Sequence, residues 1–98
     1  MLTVTTSKTV GTFRRGKYSQ AGKRIGNEPM ALRGDAVKKG QTVGFVEQLG
    51  TFTPVVANQA GEVFKYEVED GDPVGYGQPL VSFYPFFGGL IIGESNHV

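Results

Sequence analysis

The chain contains no cysteine. Disulfides, thiolate metal sites and thiol chemistry are therefore excluded together, and a reducing compartment suits the composition. There is one histidine, His97, next to the C-terminus, which leaves no material for a multi-histidine metal centre or a Ser–His–Asp triad. Long hydrophobic runs are also missing. The most apolar stretch, Phe83–Gly93, has 11 residues and is broken by Pro85, Gly88 and Gly89. A spanning helix needs about 20 apolar residues, so no membrane association is expected. The first ten residues, MLTVTTSKTV, hold no apolar signal-peptide core. Net charge is almost absent too: 10 basic and 9 acidic residues give +1, which argues against a uniformly basic nucleic-acid coat.

Glycine and proline are present in excess: 15 Gly and 5 Pro make up about a fifth of the 98 residues. So many turns in one small domain favour short strands over helices. Strands are expected at Val10–Phe13, Thr42–Glu47, Thr53–Ala57, Glu62–Glu69 and Pro79–Tyr84, where Val and Phe alternate with turn residues.

The small net charge hides a division. Residues 1–39 carry nine basic residues against two acids, a balance of +7; residues 40–98 carry Lys65 against seven acids, a balance of −6. Residues 14–31 read as a long basic loop with no period of 2 or 3.6. Arg14, Arg15, Lys17, Lys23 and Arg24 are its candidate partner-binding residues. Three roles stay open for them: a solvated surface, a dock for an acidic partner surface, or a nucleic-acid contact. Tyr18 is the one aromatic there, which is thin for base stacking, so nucleic acid is not expected.

The most informative feature is an internal repeat. Gly34–Val43 (GDAVKKGQTV) matches Gly71–Leu80 (GDPVGYGQPL) with five identities in ten positions at an offset of 37. Chance would give roughly one. Each copy reads as a turn entering a strand. Asp there can bond nearby backbone N–H groups, and Gly can take a positive φ. Two copies imply two similar half-sheets related by a pseudo-two-fold axis. Asp35, Asp70 and Asp72 are read as turn caps. Glu47 has no partner base, metal ligand or nucleophile in the sequence around it, so no enzyme site is expected.

A GD-x-V-x-x-GQ unit repeated in two halves resembles the biotinyl/lipoyl carrier domain. The resemblance covers about Val10 to Pro85 and implies an all-β fold, a flattened antiparallel β-barrel of two quasi-symmetric half-sheets, the hammerhead of carrier domains. It divides the chain into an N-terminal extension at 1–9, the domain at 10–85 with the basic loop 14–31 inserted, and a tail at 86–98. Val10–Phe13 resembles the opening strand of biotin carboxyl carriers of acetyl-CoA carboxylase. The loop falls near the "thumb" insertion of bacterial carriers without resembling it in sequence.

Carriers of this kind present a lysine at a hairpin tip, in the motif E-A-M-K-M/L, because a ligase must join the biotin carboxylate to an ε-amine. Here the aligned residues are Glu47-Gln48-Leu49-Gly50-Thr51. Gly50 stands in the lysine's place, and glycine has no amine. The resemblance therefore implies no attached cofactor, biotin or lipoyl. Leu49, Gly50, Thr51 and Phe52 form the candidate recognition tip; Phe52 is either an exposed anchor or packed back on the sheet.

Val10–Lys17, Val37–Val55, Ala60–Val63 and Asp70–Val81 together resemble the plant biotin attachment domain-containing proteins, carrier paralogues without the biotinyl lysine. That family implies a non-catalytic subunit in the chloroplast stroma. Its partners would be the biotin carboxylase and biotin carboxyl carrier subunits of acetyl-CoA carboxylase, whose fatty-acid synthesis it would lower. A small β-barrel module docking nucleic acid or another anionic partner through the basic loop is the alternative.

Overall fold

The computed structural model describes residues 1–18, 24–26, 30–87 and 90–91. The described residues contain strands and turns and no helix. In chain order the strands are β1 (Thr3–Thr6), β2 (Gly11–Arg14), β3 (Lys17–Tyr18), β4 (Arg24–Gly26), β5 (Ala36–Val37), β6 (Thr42–Gln48), β7 (Thr51–Val56), β8 (Gly61–Tyr66), β9 (Pro73–Val74), β10 (Pro79–Phe87) and β11 (Leu90–Ile91). One sheet has the order β1-β10-β8-β5, with β11 also on β10; the second has the order β7-β6-β2-β9. All pairings are antiparallel. The expected all-β, two-sheet flattened barrel is what forms.

The strands form where β-branched and aromatic residues alternate or cluster, and their inner faces close one core. Phe13, Val43, Val63, Leu80, Val81 and Phe83 are completely buried within it. Each such side chain contributes about 1.5–3 kcal/mol through removal from water. Tyr66 packs at the edge of this core, its ring centroid 6.0 Å from that of Phe13.

The repeat read from the sequence becomes a repeat of bonds. Asp35 Oδ2 accepts from the Leu32 N–H and Asp72 Oδ2 from the Glu69 N–H, both at 2.9 Å. Gln41 Oε1 accepts from the Lys38 N–H at 3.1 Å, and Gln78 Oε1 from the Gly75 N–H at 2.9 Å. Gly34 and Gly71 take φ of 92° and 91°, backbone that favours glycine. The Gly34 N–H donates to Val63 O and the Gly71 N–H to Phe13 O. Those two acceptors expose a second correspondence, between residues near 11–13 and residues near 61–63, at an offset of 50. A Cβ on Gly11 would collide with the carbonyl oxygen of Glu47; a Cβ on Gly61 would sit 2.5 Å from that of Tyr84. Glu47 and Tyr84 are themselves 37 positions apart. Both strand crossings thus require glycine for the same reason.

Three expectations change. Thr3–Thr6, placed in an N-terminal extension, forms β1 and pairs with β10 from Thr3↔Phe83 onward. Phe86 and Phe87, placed in the tail, continue β10. The segment 14–31 is not an element-free loop, because it contains the antiparallel pair β3–β4. Its two ends are tied together by a 3.0 Å bond from the Met30 N–H to Arg15 O. Strands of two and three residues are too short to leave a period in the sequence.

Candidate functional site

Strands β6 and β7 are joined by a two-residue turn, with Gln48 opposite Thr51. The turn residues Leu49 and Gly50 have φ of 51° and 82°. Positive φ at both positions is the type I′ geometry that matches the twist of a β-hairpin, normally supplied by Asn-Gly or Gly-Gly. Gly50 meets the demand without strain. Leu49 does not: a left-handed leucine costs roughly 1–2 kcal/mol. Leu49 is also fully exposed, so nothing inside the domain offsets that strain. A Cβ at Gly50 would meet no atom within 4 Å, so the tip is sterically open to a side chain.

The expected tip residues separate in the structure. Leu49, Gly50 and Thr51 are exposed. Phe52 is only 8% exposed, and its ring meets Phe45 edge to face at 6.3 Å between centroids. Its role as an exposed anchor is overturned: it lies opposite Glu47 on β7 and packs against Phe45, on the face away from the core that Val55 enters.

The basic candidates also separate. Arg14 Nε donates to Glu47 Oε1 at 2.9 Å, an ion pair across β2 and β6 on the face that carries Phe45. Glu47 is thus held by the barrel just before the tip. Arg15 lays its guanidinium over the Tyr66 ring, 3.9 Å from the centroid, and its backbone N–H donates to Asp70 Oδ1 at 2.8 Å. Tyr66 in turn donates from its hydroxyl to Val43 O at 2.8 Å. Burial pushes the Tyr66 phenol above its ordinary range, and the Arg15 charge opposes that shift. Arg14 and Arg15 therefore serve the barrel surface. Lys17 lies in β3 and Arg24 in β4, with only their backbones described; Lys23 lies outside the described residues.

Among the described residues no three His, Cys, Asp or Glu side chains gather as metal ligands. The turn offers no amine for a covalent cofactor. Lys65 is on β8, next to Glu67 at 3.7 Å and away from this turn. A shallow depression between β1 and β7, lined by Thr5, Thr9, Val46, Thr53 and Val55, presents no cluster of ionisable groups.

Two sheets, doubled turns and a tight hairpin closing one of them define a carrier domain. The family described as biotin-requiring enzyme, the biotin/lipoyl attachment domain, matches residues 9–83. The chain belongs to that family. It is 33% identical over 79 residues to a biotin carboxyl carrier protein of acetyl-CoA carboxylase from Nostoc sp., covering 81% of this chain and 40% of that protein. It is equally identical, over the same length, to the biotin carboxyl carrier protein of acetyl-CoA carboxylase 2, chloroplastic, from Arabidopsis thaliana, of which it covers 29%. The chain thus spans well under half of these relatives. Among solved structures, the urea carboxylase of Kluyveromyces lactis superposes with a TM-score of 0.66 at 24% identity, over 85% of this chain and 6% of that one. A single-chain, multi-domain long-chain acyl-CoA carboxylase superposes at 0.67 and 19% identity, over 88% and 7%. At these identities the two structures speak for the fold. The protein is a biotin carboxyl carrier-like domain related to the carriers of acetyl-CoA carboxylase.

Two features escaped the sequence reading. The Gly11–Gly61 correspondence rests on one shared residue type in each copy. The exposure of apolar residues outside the hairpin, Met1, Leu2, Val10, Leu32 and Tyr76, was likewise unread. The expected strands left five residues, 48–52, between them; in the structure the turn shrinks to Leu49-Gly50, with leucine where asparagine is usual.

Proposed function

We propose that this domain is a carrier that cannot be loaded: it takes a biotin carboxyl carrier's place in heteromeric acetyl-CoA carboxylase, brings no biotin, and thereby lowers carboxyl transfer to acetyl-CoA. One observation carries the reading. The hairpin turn at which related carriers present their lysine is here Leu49-Gly50, well formed and without an amine. The domain itself performs no catalysis. Its partners are the biotin carboxylase and carrier subunits, and its site of action is the chloroplast stroma, in keeping with the chloroplastic relative. The competing reading, an anion-binding module, loses support because Arg14 and Arg15 are turned onto Glu47 and Tyr66.

Titration of the chain into an acetyl-CoA carboxylase reconstituted with authentic carrier tests the reading. Activity is expected to fall with dose and to recover when carrier is added in excess. Activity that stays constant while the chain saturates the complex would contradict it. Tight binding to DNA or RNA with a steep salt dependence would favour the anion-binding module.

A further inference from the structure

We infer that the outer face of the β1-β10-β8-β5 sheet is a self-association surface, through which two copies of the chain pack face to face about a two-fold axis. The inference goes beyond the unloadable-carrier reading, because the Leu49-Gly50 hairpin belongs to the other sheet and stays free.

Register makes this face apolar. Strand β1 turns its threonines in and its aliphatic residues out. Thr3 and Thr5 pair with Phe83 and Val81, both completely buried, and so point towards the core. Thr5 is accommodated there because its hydroxyl donates to Val56 O at 3.1 Å. Val4 pairs with Ser82 and points outward, and by the same alternation so does Leu2. On β8 a register shift makes Phe64 the extra residue: Val63 stands opposite Phe83, and Lys65 opposite Ser82. Phe64 faces outward, and its ring meets Tyr84 edge to face at 5.2 Å between centroids. Leu2 is 44% exposed, and Val4, Phe64 and Tyr84 are half-buried. The sister face of the other sheet shows the same kind of surface closed. At the 50-residue offset Leu2 corresponds to Phe52, which is buried beside Phe45.

The charges on the face select a second copy as its occupant. The Arg33 guanidinium carbon lies 5.2 Å from the centroid of the Phe64 ring, and Glu62 stands two residues before Phe64, opposite Tyr84. Neither Arg33 nor Glu62 joins an ion pair among the described residues. A two-fold axis between them passes beside Phe64. Rotation about it brings each Arg33 to the other copy's Glu62, and the two Phe64–Tyr84 pairs into contact. Cation and acid are thus matched twice, whereas a partner of one charge sign would match only one of them. The net charge of +1 leaves little repulsion between copies. Sheet faces can also meet across their width, packing about 10 Å apart. The apolar centre is four side chains per copy, so the dimer is weak, with a dissociation constant on the order of 10–100 μM.

Sedimentation equilibrium of the 98-residue chain tests this, and is expected to show monomers passing to dimers across that concentration range. Arg33→Glu and Glu62→Arg should each weaken self-association about tenfold or more, because like charges then oppose each other across the axis. Mixed in equal amounts, the two variants should associate again, since one copy then carries both acids and the other both cations. Leu2→Ser should weaken the dimer by a smaller factor. Leu49→Asn, on the other sheet's hairpin, should leave it unchanged. A chain that is monomeric at every concentration overturns the inference. So do single charge variants that dimerise as well as the unsubstituted chain, or a mixture of the two that stays monomeric. A dimer dispersed by Leu49→Asn would place the contact at the hairpin and overturns it equally.

Discussion

The two halves of this barrel fold alike and end differently. In one half the turn at Gly34–Gln41 feeds β6; in the other the turn at Gly71–Gln78 feeds β10, with matching Asp and Gln side chains on matching N–H groups. The equivalence continues into β6 and β10 as far as the Glu47 and Tyr84 carbonyls that meet Gly11 and Gly61, and ends past them. Strand β6 ends at Gln48 and reverses through Leu49-Gly50 into the six-residue β7, whereas the longer β10 runs on to Phe87 and pairs with the two-residue β11. The part held in common is the part the fold requires. The Leu49-Gly50 turn has no counterpart in the repeat, and it is there that a strained, exposed leucine and an amine-free turn sit together.

The sharpest way to break the comparison is at the strand crossings. Gly11→Val and Gly61→Val should each destabilise the domain by about 3 kcal/mol or more, because the added carbons meet backbone carbonyls that cannot rotate away. Urea unfolding of both variants checks this; a loss below about 1 kcal/mol in either would show the crossings are not equivalent. Next come the turns. Asp35→Ala and Asp72→Ala each remove one carboxylate bond to a backbone N–H and should cost a similar ~1–2 kcal/mol. Unequal losses would mean the halves share geometry but not energetics. The smallest effect lies at the tip. Leu49→Asn should leave stability unchanged or raise it by up to about 1 kcal/mol, since asparagine tolerates the left-handed backbone. Destabilisation there would mean that Leu49 supports the fold after all.

How much of this was readable beforehand follows from where the information sits. The 37-residue repeat was legible because its turns need particular side chains, Gly, Asp and Gln, at fixed positions. Its 50-residue counterpart was not, because there the geometry asks only for an absent Cβ, and the flanking residues are free to differ. Strand β1 was missed because its four residues find their partners 73–80 positions away in β10, a pairing no local pattern announces. The basic segment was misread because β3 and β4 are too short to leave a period. Phe52 fell between two readings at the sequence level, and its packing against Phe45 decides for burial. Gly50 was legible as a hairpin-tip residue, but the two-residue turn and the strain on Leu49 come only from the backbone.

The central claim is that the hairpin is a carrier's hairpin with its attachment point removed. Co-expression with biotin ligase followed by intact-mass measurement tests it directly, on the unsubstituted chain and on a variant with Leu49→Met, Gly50→Lys and Thr51→Met together. The account predicts no biotin adduct on the first and an adduct on the second: no atom lies within 4 Å of a Cβ at position 50, and the strain of a side chain at a φ of 82° is the cost the folded variant bears. An adduct on the unsubstituted chain, or none on the folded variant, would contradict it.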